Sequence, residues 1–134
     1  MSSTSNSRTK ARKRALDILF EAELRGNDPL DTLAERIADA DPVVRDYTAE
    51  IVRGVSTDLD QLDVRISAAC AKGWTLHRMP RVDRALARIA LWEADQGLDP
   101  RIAISQAQLL AGELSTDDSP TFLGGLLGTA IGAR

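Results

Sequence analysis

Cysteine and histidine are almost absent: Cys70 and His77 are the single examples of each in 134 residues. One thiol rules out an intrachain disulfide and a clustered thiolate metal site. A nucleophile, histidine and acid constellation has too few members to assemble, and a zinc site needs more donors than one histidine supplies. No metal and no catalysis are expected. Cys70, near the end of an apolar stripe, reads as a small core hydrophobe. No run of about 18 apolar residues is present to span a membrane, and the N-terminus lacks the apolar segment of an export signal. A cytoplasmic protein that does not enter the membrane is expected. No stretch alternates with period two and no two-residue hairpin turn is found, so the fold is expected to be all-α.

Hydrophobic residues make up 43% and charged residues 28% of the chain, an ordinary balance that argues against disorder beyond the ends. The length suits one domain, expected over residues 8–134. Residues 1–7, M-S-S-T-S-N-S, have nothing to bury and read as a disordered lead-in. The formal net charge of -3 hides an asymmetry: Arg8, Lys10, Arg12, Lys13 and Arg14 lie together, and all 20 acids come after them. A basic arm on an acidic body suits local polyanion binding. Cations in a helix's first turns oppose its macrodipole, so the arm reads either as a partner site or as a solvated helix start.

Helix signals recur along the chain. Ala11, Ala15, Ile18, Leu19 and Ala22 share one face of a helix over about 9–25, closed by Gly26. Asp28-Pro29, Asp41-Pro42 and Asp99-Pro100 each pair an N-cap acid with proline at the first helical position. After Pro42 the series Val44, Tyr47, Ile51, Val55, Leu59, Leu62, Ile66 and Ala69 predicts one long helix to about Ala71, bent at Gly54. From Trp74 to Asp95, residues Leu76, Met79, Val82, Leu86, Ile89, Ala90 and Glu93 form a stripe stopped by Gly97. Arg81, Arg84 and Arg88 share another face, read either as a phosphate or partner surface or as a solvated face paired with carboxylates.

Ser119-Pro120 is expected to cap a last helix carrying Phe122, Leu123, Leu126, Leu127 and Ile131, with Asp117 and Asp118 as capping acids. Gly124, Gly125 and Gly128 inside it suggest that another backbone or a ligand lies close. The G-G-L-L-G run follows no strand and lacks the terminal Gly-Lys-Ser/Thr of a phosphate loop, so no nucleotide cofactor is expected. Read alone, Phe122 is a core residue. Cations with flat side chains nevertheless compose a surface for single-stranded RNA.

The run R-M-P-R-V-D-R-A-L-A-R-I-A-L-W-E closely resembles the R-x-P-x-V-D-R-A-x-L-R-x-A-x-x-E signature of the NusB family of transcription antitermination factors. K-A-R-K-R-A-L-D-I-L-F resembles that family's opening helix, I-V-R-G-V its L-V-x-G-V segment, and D-S-P-T-F-L-G-G-L-L-G its D-S-x-K-F-V-N-G-V-L. The resemblance implies about six to seven helices in two packed helical subdomains and no catalysis. It implies binding of single-stranded boxA RNA of ribosomal RNA operons together with NusE, a small-subunit ribosomal protein, as an adaptor to the RNA polymerase antitermination complex. It assigns RNA phosphates to Arg8, Lys10, Arg12, Lys13 and Arg14, the RNA edge to Asp118, Ser119 and Phe122, and the NusE surface to Phe20, Asp83 and Arg88.

The chain departs from the family pattern at Ser105-Gln106, Thr121 and Gly124, each change removing a charge or an amide from the expected RNA side. A weaker RNA binder, or a homodimer hiding part of the site, would fit those losses. Two further readings stand beside the first. One is a stand-alone RNA-recognition domain similar to that of ribosomal RNA cytosine methyltransferases, unable to methylate alone. The other is a helical homo-oligomeric scaffold whose arginines form salt bridges.

Overall fold

The apolar stripes and caps resolve into seven α-helices and no strand among the described residues. The structure is a computed structural model that describes residues 3–71 and 74–132. The helices are α1 (Ser3–Arg25), α2 (Pro29–Asp39), α3 (Asp46–Thr57), α4 (Leu59–Ala69), α5 (Arg81–Asp95), α6 (Pro100–Leu114) and α7 (Ser119–Gly132), with a 3-10 turn at Leu76–Arg78. They divide into two compact units, Met1–Thr57 and Asp58–Arg134.

In the first unit α1 packs on α2 and α3. Ala15, Ile18 and Ala22 of α1, Leu33 of α2 and Ile51, Val52 and Val55 of α3 are buried, as their spacing of three and four requires. Buried Thr48 donates its hydroxyl to the Ala11 carbonyl at 3.0 Å, joining α3 to α1. Arg36 of α2 pairs with Glu21 of α1, and this hydrogen-bonded partner holds the Glu21 carboxyl below its ordinary range.

The second unit is built on α5, which contacts α4, α6 and α7. Its buried set runs almost without interruption from Asp83 to Ala94, so the helix is covered on nearly every side rather than along one stripe. Two forked ion pairs bind α4 to α5. Arg65 reaches both oxygens of Asp95 at 2.6 and 3.1 Å, and Arg88 reaches both oxygens of Asp63 at 2.7 and 2.9 Å. Such planar two-point contacts fix orientation more firmly than a single one.

Caps fall where the sequence places them for α2 and α6. Asp28 accepts from the Leu30 amide and Asp99 from the Arg101 amide, both at 2.9 Å. Gly26 and Gly97 end α1 and α5 with φ of +70° and +104°, a region nearly closed to other residues.

Three boundaries differ from expectation. Helix α1 begins at Ser3, within the lead-in expected over 1–7; residues 1–2 of that lead-in lie outside the described residues, as do the last two of the expected domain. The helix expected at Pro42 begins instead at Asp46, after Ala40 has turned into the left-handed region at φ 52°. The long helix expected to Ala71 is two, interrupted at Asp58, whose ψ of 12° breaks the helical path. The Asp58 carbonyl then accepts from the Leu62 amide at 2.9 Å and α4 starts anew. The spacing of three and four holds within each helix by itself, and Val55 and Leu62 are buried on either side of the break.

Replacing Thr48 by Val keeps the branched shape and removes the donor to Ala11. We expect unfolding free energy to fall by about 1 kcal/mol, read as a lower urea midpoint; an unchanged midpoint would show that this bond contributes nothing net.

Candidate functional site

The basic segment lies inside α1, beginning more than a turn beyond the helix start at Ser3. The macrodipole penalty expected for its cations is therefore largely absent, because that effect fades within the first turn. Arg8, Lys10 and Lys13 are exposed and Arg14 is half-buried. Arg12 is 4% exposed, which corrects the picture of five surface cations. Helical spacing sets Arg12 beside Ala15 and Leu16 on the buried side of α1. The Arg8 guanidinium carbon stands 4.1 Å from the Tyr47 ring centroid and that of Arg12 stands 5.8 Å away. The tyrosine, read in the sequence only as a stripe member, thus gathers two of the five cations by cation–π attraction.

The arginine face of α5 resolves differently from a row of guanidiniums. Arg81 is exposed, whereas Arg84 is buried and donates to the Leu76 and Met79 carbonyls at 2.8 and 3.3 Å. Arg88 is committed to Asp63. Arg84 thereby holds the 3-10 turn against α5, and only the first of the three arginines faces water.

Asp83 stands in the first turn of α5 at 2% exposure. Its carboxylate accepts from Ser115 Oγ at 2.5 Å and from Ser119 Oγ at 2.8 Å. The single hydroxyl proton of Ser119 is spent on Asp83, so the 2.8 Å contact between Thr116 Oγ1 and Ser119 Oγ has threonine as donor. The Thr116 amide also donates to Ser119 Oγ at 3.2 Å. Ser119 is therefore the buried first residue of α7, held by α5, and corrects the expectation that its side chain caps α7. Asp118 accepts the Phe122 amide through its backbone carbonyl at 3.0 Å and leaves its exposed carboxylate free of a capping role among the described contacts.

This stitched segment positions Phe122, half-buried in the first turn of α7. Its ring lies 5.8 Å from that of Trp74 at 44°. Trp74, Arg78, Pro80, Asp83, Thr116, Asp118, Ser119 and Phe122 line a cleft of about 430 Å³. Of the residues assigned to an RNA edge, Asp118 and Phe122 face this cleft with free surface, while the Ser119 hydroxyl is turned inward. Trp74 and Arg78 went unassigned in the sequence; the one available signal was an aromatic residue outside the helical stripe. Of the residues assigned to a protein surface, Phe20 is half-buried on α1, Asp83 is interior and Arg88 is paired.

The glycines of α7 are explained at one position. A Cβ on Gly124 would stand 2.6 Å from Gln108 Nε2, whereas nothing lies within 4 Å of a Cβ on Gly125 or Gly128. The neighbour is a side chain of α6 rather than a backbone or a ligand: Gln108 donates to the Pro120 carbonyl at 2.9 Å across Gly124. Ser105 is exposed and donates to the Ile102 carbonyl at 3.1 Å, and Thr121 is exposed. Burial pushes the Cys70 thiol above its usual range, keeping it protonated and a poor nucleophile. No helix among the described residues is long and apolar enough to cross a membrane.

The model of the NusB family matches residues 9–131. Transcription antitermination protein NusB of Salinispora tropica is 54% identical over 127 residues, spanning 90% of this chain and 92% of that protein. Its namesake in Kineococcus radiotolerans is 48% identical over 122 residues, spanning 90% and 89%. Among solved structures, T. maritima NusB superposes with a TM-score of 0.82 at 24% identity, over 95% of this chain and 92% of that one. A structure of antitermination factors NusB and NusE in complex with dsRNA gives 0.81 at 20% identity, over 95% and 97%. At these identities the solved structures establish the shared fold.

Ser119→Ala leaves the buried Asp83 carboxylate with one donor instead of two. Unfolding free energy is expected to drop by about 1–3 kcal/mol, and, in a chain that also carries Trp92→Phe, the emission of Trp74 to change as Phe122 loses its fixed position. Retention of both stability and emission would contradict the anchoring role.

Proposed function

The chain belongs to the NusB family, and from that premise we propose that it is a non-catalytic transcription antitermination factor that binds boxA RNA of ribosomal RNA operons together with NusE. In this reading it is a cytoplasmic adaptor that links the RNA to the RNA polymerase antitermination complex, with residues 8–134 serving as its RNA-binding domain. The family match along nearly the whole chain is the observation that carries the proposal, and the exposed cations of α1 give it a physical basis. Arg8, Lys10, Lys13 and Arg14 are the phosphate contacts, and Arg12 supports them from within through Tyr47. In the second unit Phe122 and Asp118 form the RNA edge, with Ser119 fixing their position. Phe20 supplies a contact to NusE from the first unit, while Asp83 and Arg88 support a NusE-facing part of the second unit from inside by holding α7 and α4.

The test is fluorescence anisotropy of a labelled boxA strand across a salt series, with and without NusE. Affinity is expected to rise when NusE is present and to fall with salt at a log–log slope of about -0.7 per phosphate neutralised. Lys10→Ala with Lys13→Ala, both at exposed positions, is expected to make that slope shallower by about 1.4 while leaving helicity intact. A slope identical to that of the parent chain would remove α1 from the RNA surface.

A further inference from the structure

Trp74 is 48% exposed, and so large an aromatic surface in water forgoes the stabilisation that burial provides. The residue is nonetheless tied to the described residues on both sides. Its amide donates to the Ala71 carbonyl at 2.9 Å, and the 3-10 turn that follows is held by Arg84 through the Leu76 carbonyl at 2.8 Å. The indole leans on Phe122 and borders the same cleft as Arg78, Thr116 and Asp118. An anchored, half-exposed ring beside hydrogen-bonding groups and a cation has the composition of a nucleobase site.

We infer that Trp74 is a stacking platform for one unpaired base of single-stranded RNA, with Phe122 as the ring that braces it. The inference rests on the RNA-binding reading above and adds a residue and a mode of contact to it. The ring geometry selects the arrangement. A base sandwiched between two rings needs them parallel and far enough apart to admit its thickness, but these rings are 5.8 Å apart and inclined by 44°. The base therefore stacks on the open face of the indole rather than between the rings. Paired bases hide their faces, so the platform takes single strands and rejects duplex. Arg78 lies at the cleft where the phosphate next to the stacked base would run, and the Thr116 hydroxyl and Asp118 carboxylate offer groups for the base edge.

The experiment uses the full chain carrying Trp92→Phe, which leaves Trp74 as the sole tryptophan, titrated with a boxA single strand and with its duplex. The single strand is expected to quench the indole emission with the same midpoint that anisotropy gives, and the duplex to leave it unchanged. In the otherwise natural chain, Trp74→Ala is expected to weaken single-strand binding by about 5- to 160-fold without altering the salt slope, since no phosphate contact is lost. Trp74→Phe, which keeps a ring, is expected to recover most of that loss, which a merely structural defect would not predict. Unchanged affinity in Trp74→Ala with no quenching, while the Lys10 and Lys13 variant still weakens binding, overturns the platform and leaves the RNA reading standing. Absence of RNA binding by the parent chain, with and without NusE, overturns both.

Discussion

The Asp83 carboxylate is the fixed point on which the candidate site of the second unit depends. Almost wholly removed from water, it must be satisfied by donors, and the two it has among the described residues, Ser115 and Ser119, are the first residue after α6 and the first residue of α7. A buried polar group with directional partners tolerates little displacement. The connection and the opening turn of α7 are thus referred to the first turn of α5. Phe122 follows Ser119 by three residues, so its ring is placed by the same bonds, and Trp74 is placed by the ring.

Arginine plays a parallel structural part. Arg84 satisfies carbonyls of the 3-10 turn, and Arg88 and Arg65 clamp α4 to α5. These groups hold the scaffold rather than presenting charge. The clustered surface cations belong to α1 in the other unit, where no acid precedes them in sequence. Most of the charge for phosphates and the flat rings for bases are therefore supplied by different units, each by its own packing.

Much of this was legible in the residues. Asp-Pro pairs announced α2 and α6, glycines announced the ends of α1 and α5, and the order of motifs announced the family. What was not legible has physical causes. A stripe of three-and-four spacing survives a one-residue interruption, so α3 and α4 read as one helix. Closeness in sequence gave Arg12 to the charged arm, although its helical neighbours Ala15 and Leu16 show that its side of α1 is buried. The serine–aspartate bonds join residues more than thirty positions apart, and no local pattern records such a pairing. Tyr47 and Trp74 escaped for the same reason, since their significance lies in the rings and guanidiniums that the fold brings to them. Gly124 looked like an allowance for a ligand and is the space taken by Gln108.

The central claim is that RNA meets this chain at two described places, the exposed cations of α1 and the cleft braced by Asp83. Backbone and indole NMR shifts followed during titration with a boxA strand test it most directly. The account predicts that the perturbed signals fall at residues 8–14, at the Trp74 indole and at residues 116–122, with those around the Arg65–Asp95 pair unmoved. Shifts concentrated elsewhere, with the Trp74 indole and the α1 cations silent, would contradict it.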